Sequence, residues 1–205
     1  MKKALFILLS LAVAAFVYSA IAGTAHDFSG ETWTVDGRIC LPCHTPHNGS
    51  ATVGTPLWNH DETAGATTYT LYSGPGTLDA TLGQPSGVSR LCMGCHDGTV
   101  ALDSFGGTVG TDFLTVADPG FLGTDLSNDH PISFTYDTTL STTDGELHDP
   151  ATANSGLGGT IAADMLFSGS MECSSCHDVH GVTGVSNLLI KANTGSALCL
   201  TCHDK

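Results

Sequence analysis

The sequence predicts mostly irregular coil with short helices at four repeated motifs, few short strands, and a core formed by stacked prosthetic groups. One pentapeptide pattern occurs four times: Cys40-Leu-Pro-Cys43-His44, Cys92-Met-Gly-Cys95-His96, Cys173-Ser-Ser-Cys176-His177 and Cys199-Leu-Thr-Cys202-His203. The remaining sequence is rich in Gly, Thr, Ser and Asp and carries little apolar periodicity, so nothing in it calls for long helices or strands. Once an N-terminal leader is set aside, about 183 residues serve four motifs, or about 45 each, too few to wrap each one in its own apolar core.

Each motif reads C-x-x-C-H, the pattern for covalent attachment of a c-type haem. Two thiols add across the haem vinyl groups, and the following His ligates iron on the proximal side. The attachment residues are Cys40, Cys43, Cys92, Cys95, Cys173, Cys176, Cys199 and Cys202, and the proximal ligands are His44, His96, His177 and His203. The expected cofactors are four covalently bound haem c groups. Zinc ribbons and thioredoxin-like pairs also use C-x-x-C, but neither has reason to place His after each second Cys. A disulfide scaffold would not repeat one local pattern. With haems as the interior, the haem-free chain is expected to be unfolded, as in small metal-dependent domains.

Taken in chain order, residues 1–22 read as a secretory signal peptide, with Lys2 and Lys3 ahead of an apolar run from Ala4 to Val17 and small residues at Ala20 and Ala22. Its cleavage would leave no stable membrane span. Export agrees with haem attachment, which takes place outside the cytoplasm; the destination is the cell exterior or a surface filament, with the periplasm as the alternative. Residues 23–115 read as an N-terminal dihaem module and 116–205 as a C-terminal one. Each opens on a motif extended to C-x-x-C-H-x-x-H (40–47 and 173–180) and closes on one preceded by Leu (91–96 and 198–203). Ser89 and Ser196 stand three residues before an attachment Cys and read as helix N-caps. Thr67–Tyr72 and Ile132–Tyr136 read as short hairpin arms. The motif-free stretch 97–172 would wrap the haems and give distal ligands or subunit contacts.

The charge is strongly acidic: Lys plus Arg 6 against Asp plus Glu 20, a formal −14 that becomes −16 when Lys2 and Lys3 leave with the signal. Arg38, Arg90, Lys191 and Lys205 are the basic residues that remain. This argues against nucleic acid and anionic membrane as partners. It suits cationic proteins and metal cations, or serves solubility alone.

Ten histidines leave six beyond the proximal set. His26, His47, His130 and His180 are the favoured distal ligands, with His60 and His148 in reserve and Met165 and Met171 as the thioether alternatives. Two imidazoles per iron would close it to substrate and give low potentials. His47 and His180 each follow a proximal His by three residues, too close to reach the far face of the same haem, so as ligands they serve another. Pro131 holds His130 extended, which suits a fixed ligand. His26 would tie down an otherwise mobile terminus.

The segments 40–48, 56–60, 92–101, 128–134 and 173–181 resemble the secreted multihaem c-type cytochromes of metal-reducing bacteria, over nearly the whole chain after the leader. The resemblance implies a multihaem cytochrome c fold whose subunits polymerise into filaments, with one distal His given by a neighbouring subunit. On that analogy His47 is the candidate bridging ligand, and His26, His130 and His180 complete the set within the subunit. A head-to-tail contact of this kind builds an open filament unless the ring closes. The expected function is electron conduction along closely packed bis-His haems to redox partners or external acceptors such as metal oxides, with no enzymatic step. A discrete periplasmic tetrahaem carrier is the first alternative. A multihaem reductase is the second, and it would need an open iron, often marked by an altered attachment motif; all four motifs here are regular.

Overall fold

The computed structural model describes residues 21–47, 49, 57–62, 67–74 and 78–205. The expected leader lies outside the described residues except for its last two, Ile21 and Ala22. Among the described residues the backbone is mainly coil and turn. Four helices occur: α1 Gly87–His96, α2 Thr138–Asp144, α3 Ile161–Asp164 and α4 Cys199–Cys202. Five three-residue 3-10 turns accompany them, and β1 Phe134–Thr135 pairs antiparallel with β2 Ser170–Met171. No helix among the described residues is long and apolar enough to cross a membrane.

Two attachment motifs do lie on helices, but their serines are not the caps. Ser86, in extended conformation, precedes α1 without a side-chain cap, while Ser89 lies inside the helix, fully buried, with its hydroxyl donated to the Glu172 carboxylate. A tertiary acceptor has taken the oxygen that a local reading assigns to the helix end. Ser196 ends a 3-10 turn at φ +64, and α4 starts only at Cys199, after Leu198. By contrast α2 is capped by side chain: Asp137 Oδ1 accepts from the Leu140 amide at 2.9 Å, and Gly145 closes the helix at φ +75.

Ile132–Tyr136 does contain a strand, yet its partner is distant in sequence, with Phe134 opposite Met171, so no hairpin forms. Thr67–Tyr72 makes one parallel bridge, Thr70 to Asp125, and is not a hairpin arm. Both are short apolar stretches whose pairing was settled by long-range packing rather than by a local turn.

The buried apolar side chains gather into two small clusters. One holds Tyr69, Met93 and Leu126. The other holds Phe134, Tyr136, Ile161, Met165, Met171, Leu198 and Cys202. Met165 and Met171 are thus core residues, 1 % and 5 % exposed. The buried Tyr136 hydroxyl donates to the His148 carbonyl at 2.5 Å and fixes the second cluster to the last motif's neighbourhood.

Candidate haem-attachment sites

Three of the four motifs share one backbone clasp. In each, the motif makes a single helical turn, with the His amide bonded to the carbonyl of the first Cys: His44 to Cys40 at 2.8 Å, His177 to Cys173 at 3.0 Å, His203 to Cys199 at 3.0 Å. A distant apolar residue then bridges to the proximal His in antiparallel fashion: Trp58 to His44, Leu189 to His177, Leu147 to His203. The flanking bonds match. Thr45 N donates to Leu57 O at 3.0 Å and Asn59 N to Cys43 O at 2.9 Å; Asp178 N donates to Leu188 O at 2.6 Å and Ile190 N to Cys176 O at 3.0 Å. In the fourth motif Asp204 N donates to Glu146 O and His148 N to Cys202 O, both at 2.8 Å. The second motif ends α1 instead, and the His96 carbonyl accepts from Leu122 at 2.8 Å and Gly123 at 3.3 Å.

These contacts fix ring orientation as well as backbone. His96 Nδ1 lies 2.7 Å from the Gly120 carbonyl, and His177 Nδ1 lies 3.0 Å from that of Asn187. His130 Nδ1 sits 2.8 Å from the Pro131 carbonyl. A carbonyl can only accept, so each Nδ1 carries the proton and each Nε2 keeps its lone pair for a metal. Gly120 is at φ +84, and its Cβ position lies 3.3 Å from His96 Cε1, so a side chain there would crowd the ring.

The structure brings histidines together in pairs. His44 and His180 have ring centroids 6.2 Å apart, His26 and His96 6.0 Å, and His130 and His203 6.3 Å. Metal–imidazole bonds of about 2 Å on either side hold two ring centroids about 6 Å apart, so the spacing fits an iron between each pair. At 6.2 Å the nearly parallel rings of His44 and His180, 13° between planes, are too far apart to touch face to face. His26 adds a second sign of fit: its Nδ1 is buried without a hydrogen-bond partner, a cost of about 1–3 kcal/mol when nothing else satisfies the ring. Burial, then the neighbouring His96, His180 and His177, hold its pKa down at about 4, so the ring is neutral and able to ligate. An apolar cavity of about 350 Å3 lined by Cys40, His44, Thr45, Pro46 and Leu57 opens at the first motif.

Two of the expected site histidines remain outside these pairs. His177 is exposed and forms no ring pair among the described residues, and His47 is exposed with its carbonyl accepting from Thr45 Oγ1 at 3.0 Å. His60 is buried, with Nδ1 2.7 Å from Asp61 O and Nε2 3.0 Å from Ala101 O, so both nitrogens face backbone carbonyls. His148 contributes its backbone to the fourth motif's clasp.

None of the eight cysteines is in a disulfide. Burial raises Cys43 to about 11, Cys95 to about 12 and Cys202 to about 11. Thiols of successive motifs also lie close enough to perturb each other: Cys43 acts on Cys95, Cys92 and Cys173 act on each other, and Cys199 acts on Cys176. Among the described residues no three His, Cys, Asp or Glu side chains converge as a metal-ion cluster would require.

Residues 167–205 match the family described as the doubled CXXCH motif. This stretch takes in the third and fourth motifs, indicates covalently bound haem c, and is consistent with a multihaem c-type cytochrome in electron transfer. A comparison with curated proteins finds no match. When bound, haem supplies one-electron redox chemistry; the chain supplies attachment through Cys, iron ligation through His, and exclusion of water.

Sequence reasoning missed the clasp residues Trp58, Leu147 and Leu189, the carbonyls of Gly120 and Asn187, and the buried Glu172. A carboxylate immediately before Cys173 was the one signal open to it.

Proposed function

We propose that this chain is a secreted tetrahaem c-type cytochrome that conducts electrons along a bis-His haem chain and polymerises head to tail into extracellular filaments delivering electrons to external acceptors such as metal oxides. The observation that carries the reading is the histidine inventory. Three proximal histidines face an internal partner at 6.0–6.3 Å, while proximal His177 and trailing His47 are exposed and form no histidine pair among the described residues. A second copy presenting His47 to His177 would close the iron at the third motif and repeat without limit, since such a contact is heterologous. The succession of neighbouring thiols from motif to motif supports a continuous path within the subunit.

Intact mass and haem absorbance of the purified protein should give four haems per chain; two, confined to residues 167–205, would defeat the tetrahaem reading. Cryo-electron microscopy of shed extracellular material should show filaments with His47 of one copy at the third haem of the next. Only small discrete particles at high concentration would favour the alternative, a dispersed periplasmic carrier. Replacing all eight cysteines by serine should leave a chain without a cooperative thermal transition, because the two apolar clusters are small and the haems complete the interior.

A further inference from the structure

Of the four basic residues beyond the leader, three are paired with carboxylates: Arg38 with Asp36 at 3.6 Å, Arg90 with Glu62 at 3.1 Å, and Lys205 with Glu146 at 2.6 Å. Lys191 makes no ion pair among the described residues, in a chain with 20 acidic side chains. Its ammonium donates instead to two neutral oxygens, Ser155 O at 2.7 Å and Thr201 Oγ1 at 2.8 Å. Thr201 is the residue between the two attachment cysteines of the fourth motif, and it is buried. Its hydroxyl in turn donates to the Ala197 carbonyl at 2.9 Å, leaving its lone pair for the lysine. Gly156, at φ +77, makes room: a Cβ there would come 2.8 Å from Nζ. A net positive charge is therefore seated against the fourth attachment turn, and its field reaches Cys202.

The opposite arrangement occurs at the junction of the second and third motifs. Glu172 is 4 % exposed and pairs with no cation among the described residues. Its Oε2 accepts from the Ser89 amide at 3.2 Å, from the Ser89 hydroxyl, and from Ser133 Oγ at 3.2 Å. The Cys173 amide donates to Ser89 Oγ at 3.0 Å, and the Cys92 and Cys173 sulfurs lie close enough to perturb each other. A carboxylate surrounded by donors thus sits where two attachment sites meet. Surface charges are screened over about 8–10 Å of salt solution, whereas these two are sheltered and act at short range. Reduction adds one electron to an iron centre, ferric to ferrous, with no bond made or broken. A nearby positive charge therefore favours the reduced form, and a negative one opposes it.

We propose that the chain carries a fixed redox bias: Glu172 lowers the reduction potentials of the haems attached at the second and third motifs, and Lys191 raises that of the haem at the fourth, so that an electron favours the fourth motif's haem over those of the second and third. This rests on the tetrahaem reading. Haem counting on each purified protein separates the two, since fewer than four haems in the unaltered chain would sink that reading whatever the potentials are.

With four haems confirmed, spectroelectrochemical titration of the holoprotein tests the bias. Lys191→Met should lower one potential by about tenfold in the redox equilibrium, which is 59 mV for a one-electron couple. Lys191→Arg should restore it, and Glu172→Gln should raise one or both of the middle potentials by a similar factor. Unchanged potentials in Lys191→Met, or an equal fall in Lys191→Arg, would overturn the proposal. Should Glu172→Gln fail to mature because it disrupts a buried network, the Lys191 pair decides alone. That side chain is only partly buried, and equal haem counts and thermal midpoints in Lys191→Met and Lys191→Arg are the check that both variants keep the fold.

Discussion

Two eight-residue stretches of this chain share the pattern C-x-x-C-H-x-x-H, and their histidines have opposite fates. In 40–47 the proximal His44 faces an internal partner, and the trailing His47 is exposed. In 173–180 the proximal His177 is exposed without a ring partner among the described residues, and the trailing His180 is the one that faces His44. The local fold is the same in both: one turn through the motif, a bridge to Trp58 or Leu189, and two matching flanking bonds. What differs is only what lies opposite each ring. On the proposed reading the duplicated motif gives two half-used sites whose unused halves are complementary: His177 would lack a ligand that His47 of another copy could give.

The sharpest way to break this comparison is to remove the two trailing histidines separately. His180→Ala should open the iron at His44 inside every subunit, seen as a high-spin ferric signal from one iron in four and reversed by added imidazole. His47→Ala should leave the His44 site low-spin, abolish filaments, and open the iron at His177 in the dispersed subunits. Equal spectra from the two variants, or intact filaments from His47→Ala, would refute the complementary assignment.

A smaller effect separates the two clasps. Trp58 meets His44 edge-on, with centroids 6.2 Å apart at 87°, and also contacts His60 at 6.4 Å. Leu189 bridges to His177 and packs against the second apolar cluster. Trp58→Ala should cost about 3 kcal/mol and Leu189→Ala about 2 kcal/mol in chemical denaturation of the holoprotein. The spin state at His44 should be disturbed only by the first. A Leu189 variant that perturbs the His44 iron would mean that the two clasps are not independent.

The attachment sites were legible in the sequence because covalent haem chemistry is local: two thiols and an imidazole within five residues suffice. The histidines that face one another were legible as candidates but not as pairs. His130 meets His203 across 73 residues and His26 meets His96 across 70, a matter of how the chain wraps. The helix starts were misread for the same reason. Ser89 is a good N-cap by local rules, but Glu172 claims its hydroxyl from the other half of the chain. The clasps were invisible, since three residues such as Leu188-Leu189-Ile190 carry no period from which a bridge could be read.

The last difference is strain. Leu57 and Leu188 precede the bridging residues of the two clasps, and both adopt left-handed backbone, at φ 56 and φ 54. That conformation costs an L-residue about 1–2 kcal/mol, while glycine adopts it freely but loses about 0.5–1 kcal/mol more chain entropy on folding. Leu57 is 48 % exposed, so its side chain forfeits little apolar burial when removed. Leu57→Gly should therefore raise the thermal midpoint slightly, a gain of about 0.5 kcal/mol. Leu188 is half-buried, and Leu188→Gly loses packing that offsets the relieved strain, for a net change near zero or a small loss. A marked drop in midpoint for Leu57→Gly would show that its side chain, and not only its backbone, holds the first clasp.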